Sequence, residues 1–529
     1  MPPGLGAQQD LGPPERIRGR VETLRAVGEA TAAGQSILAV SALPAFYESR
    51  GFAPVWTGPG GERRLADLLR AIHQSEGHGL NPENYHLSAL QPWSEGRTGS
   101  DLPEPARTDL EMLATDAFLV LGSHLLHGRV NPESINPEWL ANRRSARLDT
   151  ILANAVAADR IEEALLDLAP QQSRYRRMLD AAGELRAVME AGGWPTVPDG
   201  PTLRAGSEGP RVQALRVRLL GSPASGAAEP FDEALSEAVH RFQVRHGLDA
   251  DSAVGRATLA ALNVPASVRL RQLEINLERW RWLPADLGAR HIEVNIPAFE
   301  TRVVENGRTV AVHRSVVGRR FRATPVFSGT MTYLVLAPYW HVPPTIAAVD
   351  QLPAIRENPG VIADQRMTLL DLATNQAVDP FSVDWERMTG AEFNRLYRLR
   401  QDPGPHNALG TVKFMFPNKH NVYLHDTPSP DLFERTARDF SSGCIRIDRP
   451  LELASYLLEG RPEWNRAGID AAVRDGVERT VTLPEPVQVH LLYWTAWVDE
   501  QGVSHFREDI YDRDEVVRAA LTAPPPIEQ

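Results

Sequence analysis

At 529 residues the chain is longer than one hydrophobic core can organise, and ordinary domain sizes predict about three domains. A hydrophobic fraction of 42% and a charged fraction of 23% are those of globular protein, and no apolar run is long enough to span a membrane. The net charge of −12 excludes a general phosphate-binding surface and with it a nucleic-acid role, so any recognition of an anionic polymer must be local.

Met1 to Arg20 is rich in Pro, Gly, Gln and Arg and lacks the apolar stretch of a secretory signal. Residues 21–200 read as a helical scaffold domain. Apolar residues three and four apart recur in Leu65–Ile72, Glu111–Leu121 and Ile161–Leu168, and Gly58-Pro59-Gly60-Gly61 and Asn131-Pro132 punctuate them. His78 and His127 have no partner at metal-ligand spacing, so both are expected to be structural. After a Gly- and Pro-rich loop, residues 207–265 form a compact unit of three short helices: Val212–Leu220, Phe231–Gln243 (opening on an extended Phe) and Ala257–Leu262. This unit resembles the three-helix peptidoglycan-binding module found beside many wall enzymes. The likeness rests on Ala-Val-x-x-Phe-Gln, Gly247-Leu248 and Gly255-x-x-Thr258. A helical spacer that binds nothing is the competing reading.

Residues 270–500 change texture. A helix over Arg269–Trp282 gives way to alternating strands, His291–Ile296, Thr301–Val304, Thr309–Val317, Thr332–Leu336 and Thr411–Phe416, with turns expected at Gly307, Gly318 and Gly329. Hairpin spacing favours a sandwich or barrel. Within this region residues 343–405 are too long for a connector. Helical spacing in Phe393–Leu399 predicts a small cap acting as a lid. The fold class is therefore multidomain α+β: helical scaffold, small helical module and β-rich (sandwich- or barrel-like) domain with a capping insertion.

The chemistry concentrates in Tyr423-Leu-His-Asp-Thr427 and Phe440-Ser-Ser-Gly-Cys-Ile-Arg-Ile447. Cys444 is the only cysteine, which excludes an intrachain disulfide. A cysteine nucleophile needs a base or cationic partner, because the thiolate is the reactive form. His425 is placed to hold that thiolate as an ion pair and to protonate a leaving amine. Ser442 and Gly443 are small enough for backbone N–H groups to face an oxyanion. Arg446, two residues beyond the cysteine, shares its strand face, and Tyr423 shares the face of His425. His420 and His425, five apart, would point to opposite faces of a strand, which argues against the runner-up reading of a zinc peptidase. No metal or cofactor is expected.

These residues resemble the L,D-transpeptidase catalytic domain, whose signature is a His followed by Ser/Thr-His-Gly-Cys-x-Asn/Arg. His425, Gly443, Cys444 and Arg446 match it, while Ser442 replaces the second His of most members. Ser-Ser-Gly-Cys, Tyr339–Pro344, Gly404–Gly410 and Leu491–Trp497 are similar to the large branch of that family. The resemblance implies that the backbone carbonyl of Asp426 orients His425. The Asp426 carboxylate is the alternative, disfavoured because neighbouring strand side chains face opposite ways. It also implies stem peptides as partners, with a tetrapeptide donor, a diaminopimelate acceptor and 3→3 cross-links. Carbapenems would inhibit, and the protein would reside in the periplasm or cell envelope. Hydrolysis of the same thioester by a carboxypeptidase or endopeptidase, and attachment of a lipoprotein to the wall, stay open. Arg446, Tyr423, Asn407 and Trp340 are the expected substrate-binding residues.

Overall fold

A computed structural model describes residues 12–94, 103–135, 139, 144–221 and 229–526. The opening residues 1–11, part of the stretch without a signal-like apolar run, lie outside the described residues.

The N-terminal part is helical, built around α1 (Gly61–Gln74), α2 (Glu104–His127) and α3 (Ser173–Glu190). Helix α2 is apolar around most of its circumference and runs through the centre, with Leu113, Phe118, Leu121 and Leu125 buried. Two carboxylates go in with it, Asp116 and Glu111. The Glu111 carboxylate accepts from the backbone N–H groups of Val55, Trp56 and Thr57 at 2.9, 2.8 and 2.7 Å and from the Tyr47 hydroxyl at 2.8 Å. Fully hydrogen-bonded, it pins the Val55–Thr57 loop to the helix. His78 is structural, as expected, its Nδ1 lying 2.8 Å from the Tyr175 hydroxyl.

Helices α4 (Pro210–Leu220), α5 (Glu233–His246) and α6 (Arg256–Leu262) form the module around Val212, Leu235, Val239 and Phe242. Asp232 caps α5 by accepting from the Leu235 N–H at 2.9 Å. The Gln243 side chain binds the Ser252 N–H, the Ala253 carbonyl and the Thr258 hydroxyl, so the Phe-Gln and Thr258 motif holds the module's own loop. Two cores also take in residues from outside the expected spans. Val197 and Leu203 pack into the module core, and Ile17, in the helix Pro13–Val27, packs into the scaffold core. Burial of single apolar residues, which composition does not reveal, sets both edges.

Helix α7 (Ala266–Arg281) then runs between scaffold and barrel with Leu273, Leu277, Glu278 and Arg281 all buried. The barrel strands are β1 (Arg290–Asn295), β2 (Glu300–Glu305), β3 (Arg308–Gly318), β4 (Phe327–Leu336), β8 (Val412–Met415), β9 (Leu424–His425), β11 (Ile445–Ile447) and β12 (Arg479–Leu492). They pair in the order β3–β11–β9–β8–β4–β12–β1–β2, and β2 pairs back onto β3, which closes the ring. Closure leaves no free edge in this ring. A short β10 (Asp439–Ser441) adds to β3 in parallel beside the cysteine turn. Pro484 and Pro486 cannot donate to a ladder, and β12 shifts register between Thr482 and Val487. Gly329, expected in a turn, lies within β4, because the strand begins at Phe327 against the far half of β12.

The insertion carries its own core of Ile355, Leu369, Phe393 and Leu399 and a three-stranded sheet in the order β5 (Trp340–His341), β7 (Tyr397–Gln401), β6 (Met367–Asp371). Its helix Gly390–Leu396 opens on a Thr389–Glu392 capping box. The helical period was expected to continue to Leu399, but the chain enters β7 at Tyr397, where pairing with β6, joined by β5 at Arg400 and Gln401, prevails over local period. Beyond the expected end at residue 500, the strand Ser504–Phe506 and the helix Arg513–Thr522 fold back onto the domain.

Candidate active site

Strands β9 and β11 run parallel, with Leu424 opposite Ile445 and His425 opposite Arg446. One position earlier, Tyr423 faces Cys444. The period of two then puts Tyr423, His425, Cys444 and Arg446 on one face. All four line a cleft of about 560 Å³ whose opposite wall is Trp340, Pro343, Pro344 and Ile346 at the root of the cap.

His425 is buried, and its Nδ1 lies 2.5 Å from the Asp426 carbonyl oxygen. Nδ1–H therefore donates to that carbonyl and leaves the Nε2 lone pair free. The Asp426 carboxylate turns away from the imidazole. It accepts from the Thr411 N–H and hydroxyl at 2.8 and 2.7 Å and from the Thr427 N–H at 2.7 Å. A Cβ on Gly410 would lie 2.4 Å from that carboxyl carbon, and the residue has φ of 61°, so only glycine lets this carboxylate in.

Electrostatics favour neutral partners at rest. Burial, with help from the Arg446 and Lys413 charges, pushes His425 down to about 3. Burial pushes the Cys444 thiol up, against hydrogen bonds from the Tyr423 backbone and hydroxyl and the Arg446 charge, which favour the thiolate. Burial therefore works against the expected thiolate–imidazolium pair at both partners. Tyr423, expected to bind substrate, works on the sulfur itself.

The turn before Cys444 is tied internally. Ser441 donates its hydroxyl to the Cys444 carbonyl at 2.6 Å and accepts from the Gly443 N–H at 3.0 Å. That amide was expected to face an oxyanion. It is instead occupied, since the backbone at Gly443 has φ of 114° and curls its N–H inward. Ser442 accepts a hydrogen bond from Arg322 at 3.1 Å, and Arg322 also pairs with Asp350 on the cap at 2.8 Å. Ser441 and Arg322 were missed in the sequence. The doubled serine was the available signal for the first; nothing local pointed to the second.

Arg446 lies in the cleft with its Nε lacking a hydrogen-bond partner among the described residues, and burial lowers its pKa. Trp340 lines the cap wall of the cleft. Asn407 does not line the cleft. It is buried, donating to the Pro338 and Asp402 carbonyls at 2.9 and 3.1 Å and accepting from the Leu409 N–H at 2.8 Å, so it joins the cap sheet to the barrel. His420 precedes β9 in a turn and, contrary to the strand argument, lines the same cleft as His425. Among the described residues no three His, Cys, Asp or Glu side chains converge as metal ligands.

Cys444 and an imidazole held by a backbone carbonyl thus open into one cleft on the rim of a closed barrel. Three family models match consecutive stretches of the chain: a scaffold domain over 41–181, a "Putative peptidoglycan binding domain" over 208–262 and an L,D-transpeptidase catalytic domain over 289–464. The chain thus carries an L,D-transpeptidase catalytic domain joined to a scaffold domain and a peptidoglycan-binding domain. It is 32% identical over 250 residues to a "Putative L,D-transpeptidase" of Haemophilus influenzae, covering 47% of this chain and 49% of that protein. The chain therefore spans about half the length of this curated relative. A 99-residue stretch is 25% identical to epoxide hydrolase 1 of Sus scrofa, covering 19% of this chain and 22% of that protein. Among solved structures it is similar to an L,D-transpeptidase (residues 123–326) from Xylanimonas cellulosilytica, with 16% identity and a TM-score of 0.19, covering 56% of this chain and all of that one.

Proposed function

We propose that this protein is a peptidoglycan L,D-transpeptidase of the periplasm or cell envelope that forms 3→3 cross-links through a Cys444 thioester. The observation that carries the reading is the sharing of one cleft by Cys444 and a His425 whose Nδ1–H is tied to the Asp426 carbonyl. The catalytic-domain match over 289–464 supports the substrate class.

In this mechanism His425 Nε2 takes the thiol proton as the sulfur attacks the carbonyl between the third and fourth residues of a donor tetrapeptide. The C–S bond forms and the carbonyl π pair moves to oxygen. Collapse breaks the peptide C–N bond, and the imidazolium returns its proton to the departing D-alanine amine. An acceptor diaminopimelate amine then adds to the thioester, gives a proton to Nε2 and expels the sulfur, which recovers that proton. Arg446, with its Nε unpartnered, is suited to hold a substrate carboxylate.

Carbapenems acylate the same sulfur in this reading. Water in place of the amine makes the enzyme a carboxypeptidase or endopeptidase, and a lipoprotein's lysine makes it an attachment enzyme. Mass spectrometry of products from disaccharide-tetrapeptides separates these outcomes. Wild type should yield 3→3 dimers, Cys444→Ala none, and His425→Ala about 10²- to 10⁴-fold less. Dimers made by Cys444→Ala would refute the assignment.

A further inference from the structure

The turn that carries Cys444 is also held from behind the cleft wall. Thr324 is fully buried between Ala323 and Pro325, which line the cleft. Its hydroxyl donates to the Gly443 carbonyl at 2.9 Å and accepts from the Gly318 N–H at 2.9 Å. Tyr511, far along the chain, braces the same point. Its hydroxyl donates to the Gly318 carbonyl and accepts from the Thr324 N–H at 3.2 Å. Tyr511 is in turn fixed by Tyr493, whose hydroxyl accepts from the Tyr511 N–H at 2.8 Å and donates to Asp509 at 2.6 Å.

In a trans peptide the carbonyl and the following N–H point in opposite directions. Drawing the Gly443 carbonyl back onto Thr324 therefore turns the Cys444 N–H away from Thr324, toward the cleft. That N–H makes no hydrogen bond among the described residues, whereas the Gly443 N–H is taken by Ser441. The turn is so built that one amide is satisfied internally and the next is presented.

We infer that Thr324, braced by Tyr511, is a positioning residue that aims the Cys444 N–H at the oxyanion formed when the sulfur adds to an acyl carbonyl. This rests on the acyl-transfer reading above. In the step concerned the C–S bond forms, the carbonyl π pair becomes the oxyanion, and the Cys444 N–H donates to it without transferring its proton. The C-terminal segment thereby contributes to a site from which Tyr511 itself is absent.

The test uses the full chain and two reagents that attack the same single sulfur. A carbapenem acylates it through a tetrahedral oxyanion, while iodoacetamide alkylates it by displacing iodide and forms none. Thr324→Val removes the hydroxyl and keeps the shape, Thr324→Ser retains the hydroxyl, and Tyr511→Phe removes the brace. Thr324→Val should slow carbapenem acylation about 10- to 100-fold, somewhat less than full loss of an oxyanion donor, with alkylation within about twofold of wild type. Thr324→Ser should restore acylation to within a few fold. Tyr511→Phe should slow acylation about 2- to 10-fold with alkylation unchanged. Unchanged acylation in Thr324→Val, or an equal fall in both rates, overturns the inference. If Thr324→Val fails to melt cooperatively, Tyr511→Phe decides by the same criterion. A wild-type protein that is alkylated but never acylated refutes the acyl-transfer reading itself, and this inference with it.

Discussion

The resting charge state of the Cys444–His425 pair has a direct kinetic consequence. Burial raises the thiol and lowers the imidazole, so both are neutral near pH 7. An ordinary thiol ionises near pH 8.5, and any upward shift leaves about 3% thiolate or less at pH 7. Alkylation of Cys444 by iodoacetamide should therefore climb almost tenfold per pH unit, or about 80- to 100-fold between pH 6 and 8. A preformed thiolate–imidazolium pair would give a rate flat within about twofold over that range. Arg446→Gln removes a cation that favours the thiolate. A nearby opposite charge is worth roughly one to three pKa units, and the lower end applies because burial dominates. The variant should accordingly react about tenfold more slowly at pH 7, with the same slope. Intact-protein mass spectrometry reads both rates, and the single cysteine makes the adduct site unambiguous. A flat profile from pH 5 to 8 in wild type would refute the neutral-pair argument.

Three other outcomes are expected. Asp350→Asn weakens the contact that links the cap to Arg322 and hence to Ser442, a partly exposed pair worth about 1 kcal/mol or less. If the cap is a lid, as its own core and its place on the cleft wall suggest, product analysis should show up to about fivefold more thioester hydrolysis relative to transfer, with carbapenem acylation preserved; an unaltered ratio would make the cap a rigid wall. Glu111→Gln leaves the Val55–Thr57 N–H groups one neutral oxygen in place of a carboxylate, and denaturant unfolding of the scaffold should register a loss of about 2–4 kcal/mol, against under 1 kcal/mol if water replaces those bonds. His78 and His124 are both held down to about 3 by burial, so the unfolded chain binds more protons between that value and 6.5. Scaffold stability should fall as pH drops below 6.5, by about 1.4 kcal/mol per pH unit for each histidine, and equal denaturant midpoints at pH 7 and 5 would contradict this.

The elements of the chain were legible because period and punctuation are local properties. Apolar spacing marked α1 and α5 to within about four residues and only the middle of α2, and alternation marked β1 and β3. The His425 and Cys444 motif was legible for a different reason: a lone cysteine after Ser-Gly, with a histidine nineteen positions earlier, is a chemical pattern. Asn407 misled because polarity near a motif does not distinguish a groove from a buried junction. Helical period misled at Tyr397, where the chain pairs with Asp371 of β6 and enters a strand.

Sequence alone thus determined the element types, the division into scaffold, module and β-rich domain, and the pair of residues proposed for the chemistry. Tertiary structure alone decided how they are armed. Closing the ring sets β9 beside β11 and so puts Tyr423 against Cys444. Burial then raises the thiol and lowers the imidazole, and Ser441 and Thr324 hold the cysteine turn while Tyr511, 187 residues from Thr324, braces it. Hydrogen bonds between distant backbone groups and withdrawal from water depend on which segments meet, and no local spacing encodes that meeting.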